Sequence, residues 1–168
     1  SNGVIGFFLV VLILIIFLDF RSSFLIALAI PTSFAVTLII LNFAGEDLNA
    51  ISLMAMIIAL GMIVDQSIVV SENAIVYLKK NSNKFQAVLN GTLEVVLPVV
   101  ASVLTTILAF APMFVMTGII GRFIFVIPVV IIASLVGSLL NCFLILPNHL
   151  YHALPDPEEE AEEPQTKP

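Results

Sequence analysis

Charge is scarce in this chain: 11% of its 168 residues are Asp, Glu, Lys or Arg, against 60% hydrophobic, and the mean hydropathy is +1.17. That composition leaves too little polar surface to face water and excludes a soluble domain of this size. Tryptophan is absent, and the one cysteine, Cys142, lies inside an apolar run. It cannot form an internal disulfide and reads as a small buried packing residue. There is no glycine-rich phosphate loop and no cysteine-histidine metal spacing, and His149 and His152 stand together beyond the last apolar run as interfacial polar anchors. Nucleotide-dependent and zinc chemistry are thereby set aside, and no cofactor is expected. The net charge of −6 is largely a local property, since Asp156, Glu158, Glu159, Glu160, Glu162 and Glu163 supply half of the twelve acids.

What is present is apolar sequence in long runs: 4–18, 24–43, 48–78, 95–116 and 123–146. About 20 apolar residues at about 1.5 Å each cross the hydrocarbon core, so five spans fit, the first of them short. Without water to satisfy backbone groups a span must be a helix or a closed barrel, and runs this uniformly apolar exclude alternating barrel strands. The expected fold is therefore an all-α integral membrane bundle of five transmembrane helices across residues 4–154. Pro31, Pro98, Pro112 and Pro128 fall within or at the ends of spans, where they kink or start helices.

The segment Asn81 to Glu94 mixes Phe85, Val88 and Leu89 with polar residues and predicts a short amphipathic helix along the membrane surface. From Pro155 to residue 168 the proline- and glutamate-rich tail has nothing to bury and is expected to be disordered. Ser1, Asn2 and Gly3 read as a cloning scar ahead of an internal fragment, so a longer parent protein is expected. A signal peptide competes for residues 4–18 but lacks a basic leader and a clear cleavage site. Arg21, Lys79, Lys80 and Lys84 lie on one side of the bilayer and Arg122 on the other. The positive-inside rule makes the former side cytoplasmic and turns Glu46 and Asp47 outward.

One position stands out. Asp65, in Ala59-Leu60-Gly61-Met62-Ile63-Val64-Asp65-Gln66-Ser67, falls near mid-membrane. A charged carboxylate there costs a few kcal/mol, about 2.5 to 3.5 on insertion scales. The neutral acid is favoured unless water or a cation reaches it, which is the property of a group that loads and releases protons. A structural acid that bonds a neighbouring helix is the plainer reading. Gly61, one turn before Asp65, offers a close approach to a partner helix, and Glu72 returns to nearly the same face. Glu72 and Asn73 fit either a proton exit path or an interfacial capping role. Ser102, Thr105 and Thr106 in one span, and Ser134, Ser138 and Asn141 in the next, recur at helical spacing, packing being their commoner use. No lysine or arginine occurs within any span, so a countercharge for Asp65 must come from elsewhere. An intramembrane hydrolase would need a second mid-membrane carboxylate or a Ser-His pair, and Asp19 and Glu94 lie near span ends.

Gly61-Met62-Ile63-Val64-Asp65 followed by Ile68-Val69-Val70-Ser71-Glu72-Asn73 resembles the fourth-transmembrane-helix signature of resistance-nodulation-division (RND) efflux permeases of the acriflavine-resistance type. Ala29-Ile30-Pro31, Leu97-Pro98-Val99-Val100-Ala101-Ser102-Val103-Leu104-Thr105-Thr106, Gly118-Ile119-Ile120-Gly121-Arg122-Phe123 and Leu146-Pro147 follow the same family in order, from Val4 to about Leu154. The resemblance implies transmembrane helices 2 to 6, half of an RND transmembrane domain, in a bacterial inner-membrane proton antiporter rather than an enzyme. It further implies a homotrimer, a periplasmic adaptor, an outer-membrane channel and a second half whose helices carry a lysine. In drug exporters this helix bears two adjacent aspartates. Asp65 matches the first, but the second position is Gln66, which cannot carry a proton. Some metal-exporting relatives also keep one acid, and an RND-like scaffold that has lost proton coupling is the other alternative.

Overall fold

The computed structural model describes residues 2–17, 20–80 and 83–153; Asp19, Asn81 and the tail from Pro155 onward lie outside the described residues. Among them there are only helices: α1 (Asn2–Phe17), α2 (Phe20–Ala44), α3 (Ala50–Leu78), α4 (Lys84–Phe110), a 3₁₀ turn (Ala111–Val115), α5 (Gly118–Ile124), α6 (Val126–Leu140), a π-helical turn (Asn141–Ile145) and α7 (Leu146–Ala153). Four stretches are long and apolar enough to cross a membrane: Ser23–Ala44, Ala50–Leu78, Lys84–Val115 and Gly118–Ala153. The fifth expected span, α1, has 16 residues. At 1.5 Å per residue it reaches about 24 Å, short of a hydrocarbon core about 30 Å thick.

Two expected boundaries are corrected. No separate surface helix precedes residue 95, because Lys84–Phe110 is one continuous helix. The apolar side of its first turns goes to α3 rather than to headgroups: Ala87, Val88 and Gly91 are buried, Ala87 and Val88 in a cluster with Val70, Ala74 and Leu78. The last span also extends beyond 123–146, running almost without interruption from Gly118 to Ala153. Pro31 and Pro98 lie inside α2 and α4 without ending either. Where a break does occur, it precedes Pro147: the ring and missing N–H disfavour α geometry in the turn before it, and the Leu146 amide reaches back five residues to the Asn141 carbonyl.

The helix ends are set by local chemistry. α2 stops at Gly45, whose φ of +73° places it in the left-handed region. The amides of Gly45 and Glu46 return to the carbonyls of Asn42 (3.3 Å) and Leu41 (3.1 Å), a Schellman closure. α3 opens on a capping box: Asn49 Oδ1 accepts from the amides of Ile51 and Ser52, both at 2.9 Å, while Ser52 Oγ accepts from the Asn49 amide at 2.7 Å. Asn49→Ala is expected to lower stability by about 1 kcal/mol. A thermal melt of the detergent-purified protein would register this as a small downward shift, and an unchanged melt would mean that the cap contributes nothing.

Packing relies on small residues, as expected where lipid removes the hydrophobic drive between helices. Ala55, Ala59 and Ala74 of α3 are fully buried. A side chain at Gly137 would come within 3.2 Å of the Ser33 carbonyl on α2. The α2–α6 seam is tied further by Asn141, which donates from Nδ2 to the Ala29 carbonyl (3.2 Å) and accepts at Oδ1 from the Thr32 hydroxyl (3.0 Å).

Candidate functional site

α3 is the central element, packed against α2, α4 and α6. Its 29 residues put Asp65 close to the helix midpoint. Adjacent residues on a helix point about 100° apart, and that separation divides Asp65 from Gln66. Gln66 is turned into the bundle and is 7% exposed, whereas Asp65 is exposed. The expectation of a buried acid is therefore corrected for this chain: α4 and α6 cover the face bearing Ile63, Ser67 and Val70, and the carboxylate stands beside that contact.

Met54, Ile58, Gly61, Asp65, Val69, Glu72 and Val76 are all exposed and recur at intervals of three or four residues, giving one uncovered stripe along α3. Gly61 and Glu72 thus share the face of Asp65. The close approach expected at Gly61 is not made among the described residues, for nothing lies within 4 Å of where its Cβ would be.

A cleft of about 200 Å³ opens beside the acid, lined by Asp65, Gln66, Met62 and Val69 of α3, Val99, Ser102 and Thr106 of α4, and Leu135 of α6. Thr106 Oγ1 donates to the Ser102 carbonyl at 3.0 Å. Thr105, the threonine singled out from sequence, is exposed, donates to the Ala101 carbonyl at 2.9 Å and does not line the cleft. Gln66 Oε1 is buried and has no hydrogen-bond partner.

The other polar candidates lie in two places. Ser138 and Asn141 are buried with Ser134 on the α6 side of the bundle. Cys142 Sγ sits 3.4 Å from Ser67 Oγ and 3.9 Å from Ser138 Oγ, so a line of small polar groups crosses from α3 to the π turn. Asn73 belongs to a different structure at the far end of α3. Its Nδ2 donates to the Gly91 carbonyl (2.7 Å) and to Glu94 Oε2 (2.9 Å), and Glu94 also accepts from Tyr77. Sequence reasoning treated Glu94 only as a span end. Gly91, one turn before it amid larger residues, was the available signal for a close helix crossing. Among the described residues no group of three or more His, Cys, Asp or Glu could hold a metal ion.

Long apolar helices, a bundle held by small residues and a mid-helix carboxylate define a multi-pass membrane protein. The profile of the AcrB/AcrD/AcrF family matches residues 1–163, and the chain belongs to that family, within the RND transporters. Among its curated relatives, the multidrug resistance protein MdtC of Escherichia coli O139:H28 is 35% identical over 145 residues, covering 86% of this chain and 14% of the relative. MdtC of Photorhabdus laumondii is 32% identical over 160 residues, covering 95% and 15% respectively. An uncharacterized transporter of Haemophilus influenzae is 34% identical over 114 residues, covering 67% and 11%. The chain thus spans only about a seventh of the length of the MdtC proteins it matches.

Proposed function

We propose that this chain is the part of a proton-driven RND efflux permease that carries its proton-relay carboxylate, with Asp65 exchanging protons and thereby coupling proton entry to export of small molecules. The observation that carries the proposal is the position of Asp65: near the middle of a membrane-length helix, beside a polar cleft and on a face that the rest of the chain leaves uncovered. A carboxylate near the membrane centre is a functional-site hypothesis by default. With no lysine or arginine between Ser23 and Leu78 or between Phe85 and Gly121, the charged form needs a partner from outside these helices. The uncovered stripe through Gly61, Asp65 and Glu72 is where a lysine-bearing helix of the second half would pack.

In this reading the chain supplies five membrane helices, including α1, as half of the transmembrane domain. Arg21, Lys79, Lys80 and Lys84 lie on the cytoplasmic side of the inner membrane, and Glu46 and Asp47 face the periplasm. Protonation of Asp65 releases its hold on the countercharge and shifts the packing of α3 against its partner helix. Ser138 and Asn141 keep α6 attached to α2 while this happens, and Asn73 keeps α3 attached to α4. The working unit is a homotrimer engaged with a periplasmic adaptor and an outer-membrane channel.

The test is made on the full-length permease in liposomes. An imposed pH gradient is expected to drive export of a fluorescent drug, and adding the drug is expected to speed collapse of the gradient. Export indifferent to the gradient would defeat the proposal and favour a scaffold or a differently powered transporter.

A further inference from the structure

Gln66 Oε1 poses a question that proton exchange at Asp65 does not answer. It is buried to less than 1 Å² of accessible atom surface, has no hydrogen-bond partner, and belongs to a residue lining the same cleft as Asp65. A buried acceptor left without a partner costs roughly 1 to 3 kcal/mol, so an occupant that satisfies it is favoured.

The polar atoms around that cleft are all oxygens: the Asp65 carboxylate, the Gln66 amide carbonyl, and the hydroxyls of Ser102 and Thr106. Thr106 directs its proton to the Ser102 carbonyl, so its lone pairs remain available to an electropositive partner. Carboxylate, carbonyl and hydroxyl oxygens suit hard cations, while Met62, the one sulfur in the lining, is a soft thioether and acts as filler. Charge then narrows the class. Of the lining residues Asp65 alone can be ionised, so a monovalent cation leaves the cleft neutral and a divalent one leaves an excess positive charge in a low-dielectric setting. A volume of about 200 Å³ accommodates the ion together with water ligands that complete its shell.

We propose that the cleft between α3, α4 and α6 binds an alkali-metal cation, held by the Asp65 carboxylate and the Gln66 carbonyl with Ser102 and Thr106 as supporting ligands. The inference rests on the proposed function in one respect, that Asp65 is an ion-carrying carboxylate, and adds that its partner on this side is a metal cation as well as a proton.

The test is equilibrium binding of radioactive sodium to the full-length permease in detergent, in choline buffer, with gel filtration confirming that each variant remains folded. Saturable binding that is displaced by unlabelled sodium and not by choline is expected. Asp65→Asn is expected to remove it, and Gln66→Leu to weaken it at least tenfold. Because Gln66→Leu leaves the acid in place, it keeps the test decisive if Asp65→Asn does not fold. Absence of saturable binding in the wild type, or unchanged binding in Gln66→Leu, overturns the inference. If sodium does not bind while the pH gradient still drives export, only this inference falls; if neither occurs, the proposed function falls with it.

Discussion

Asp65→Asn in the full-length permease is expected to reduce drug export to background and to abolish drug-stimulated proton flux, with the amount of protein in the membrane unchanged. Asparagine keeps the size of the side chain and the capacity for hydrogen bonds, but it can neither gain nor lose a proton. It therefore imitates the loaded state and holds α3 there. The loss should be on the order of a hundredfold or more, the scale on which a positioned proton-transfer group acts. Asp65→Glu retains the carboxylate but moves it one methylene further out, and is expected to keep part of the activity. The exposed position of Asp65 makes these variants informative, since no neighbouring side chain in this chain depends on it for packing. Full export by Asp65→Asn would leave the acid with no more than a structural role.

The second large effect belongs to Gly91. A Cβ there would stand 2.7 Å from the Ala74 Cα, 2.9 Å from the Asn73 carbonyl oxygen and 3.0 Å from the Ala74 amide nitrogen. All three are backbone atoms, so no side-chain rotation relieves the contact. Gly91→Leu must push α4 off α3, breaking the 2.7 Å bond from Asn73 to the Gly91 carbonyl and loosening Asn73 from Glu94. Overpacking of this kind costs about 1 to 3 kcal/mol, and loss of the buried bonds adds to it. A marked drop in the melting temperature of the purified permease is expected, with aggregated material on gel filtration. Gly6→Ala is the control, because nothing lies within 4 Å of that position, and it should change stability by less than about 0.5 kcal/mol. Equal melts for Gly91→Leu and wild type would mean that the two helices stand further apart in the assembled protein.

These cases also mark what was legible in the sequence. Uniform apolar runs disclosed the helices and their order, because a membrane leaves the backbone few alternatives. Asp65 was visible because its cost in lipid is large compared with that of a hydroxyl. Helix ends were harder to read. Lys84 to Glu94 has the polar pattern of a surface helix, and whether its apolar side meets headgroups or α3 depends on Gly91 meeting Ala74, a contact between residues far apart in sequence. The cleft was legible only in part. Helical spacing grouped Ser102, Thr105 and Thr106, but the rotation of α4 about its axis decides that Ser102 and Thr106 line it and that Thr105 does not. Gln66 read as a departure from a family pattern, and its unpartnered carbonyl became visible only once α4 and α6 were packed around it.

The π turn at Asn141–Ile145 acts as a phase joint in the last long helical stretch. Deleting one of its residues would restore ordinary α geometry while rotating everything beyond it by about 100°. Leu146 and Leu150, 1% and 0% exposed, would swing out of the core, and Tyr151 would leave its place 5.3 Å beneath the Lys84 ammonium. The segment is therefore tuned by its residue count as well as by its side chains. Within it a single-codon deletion is expected to do more damage than most substitutions, even though it makes the helix more regular.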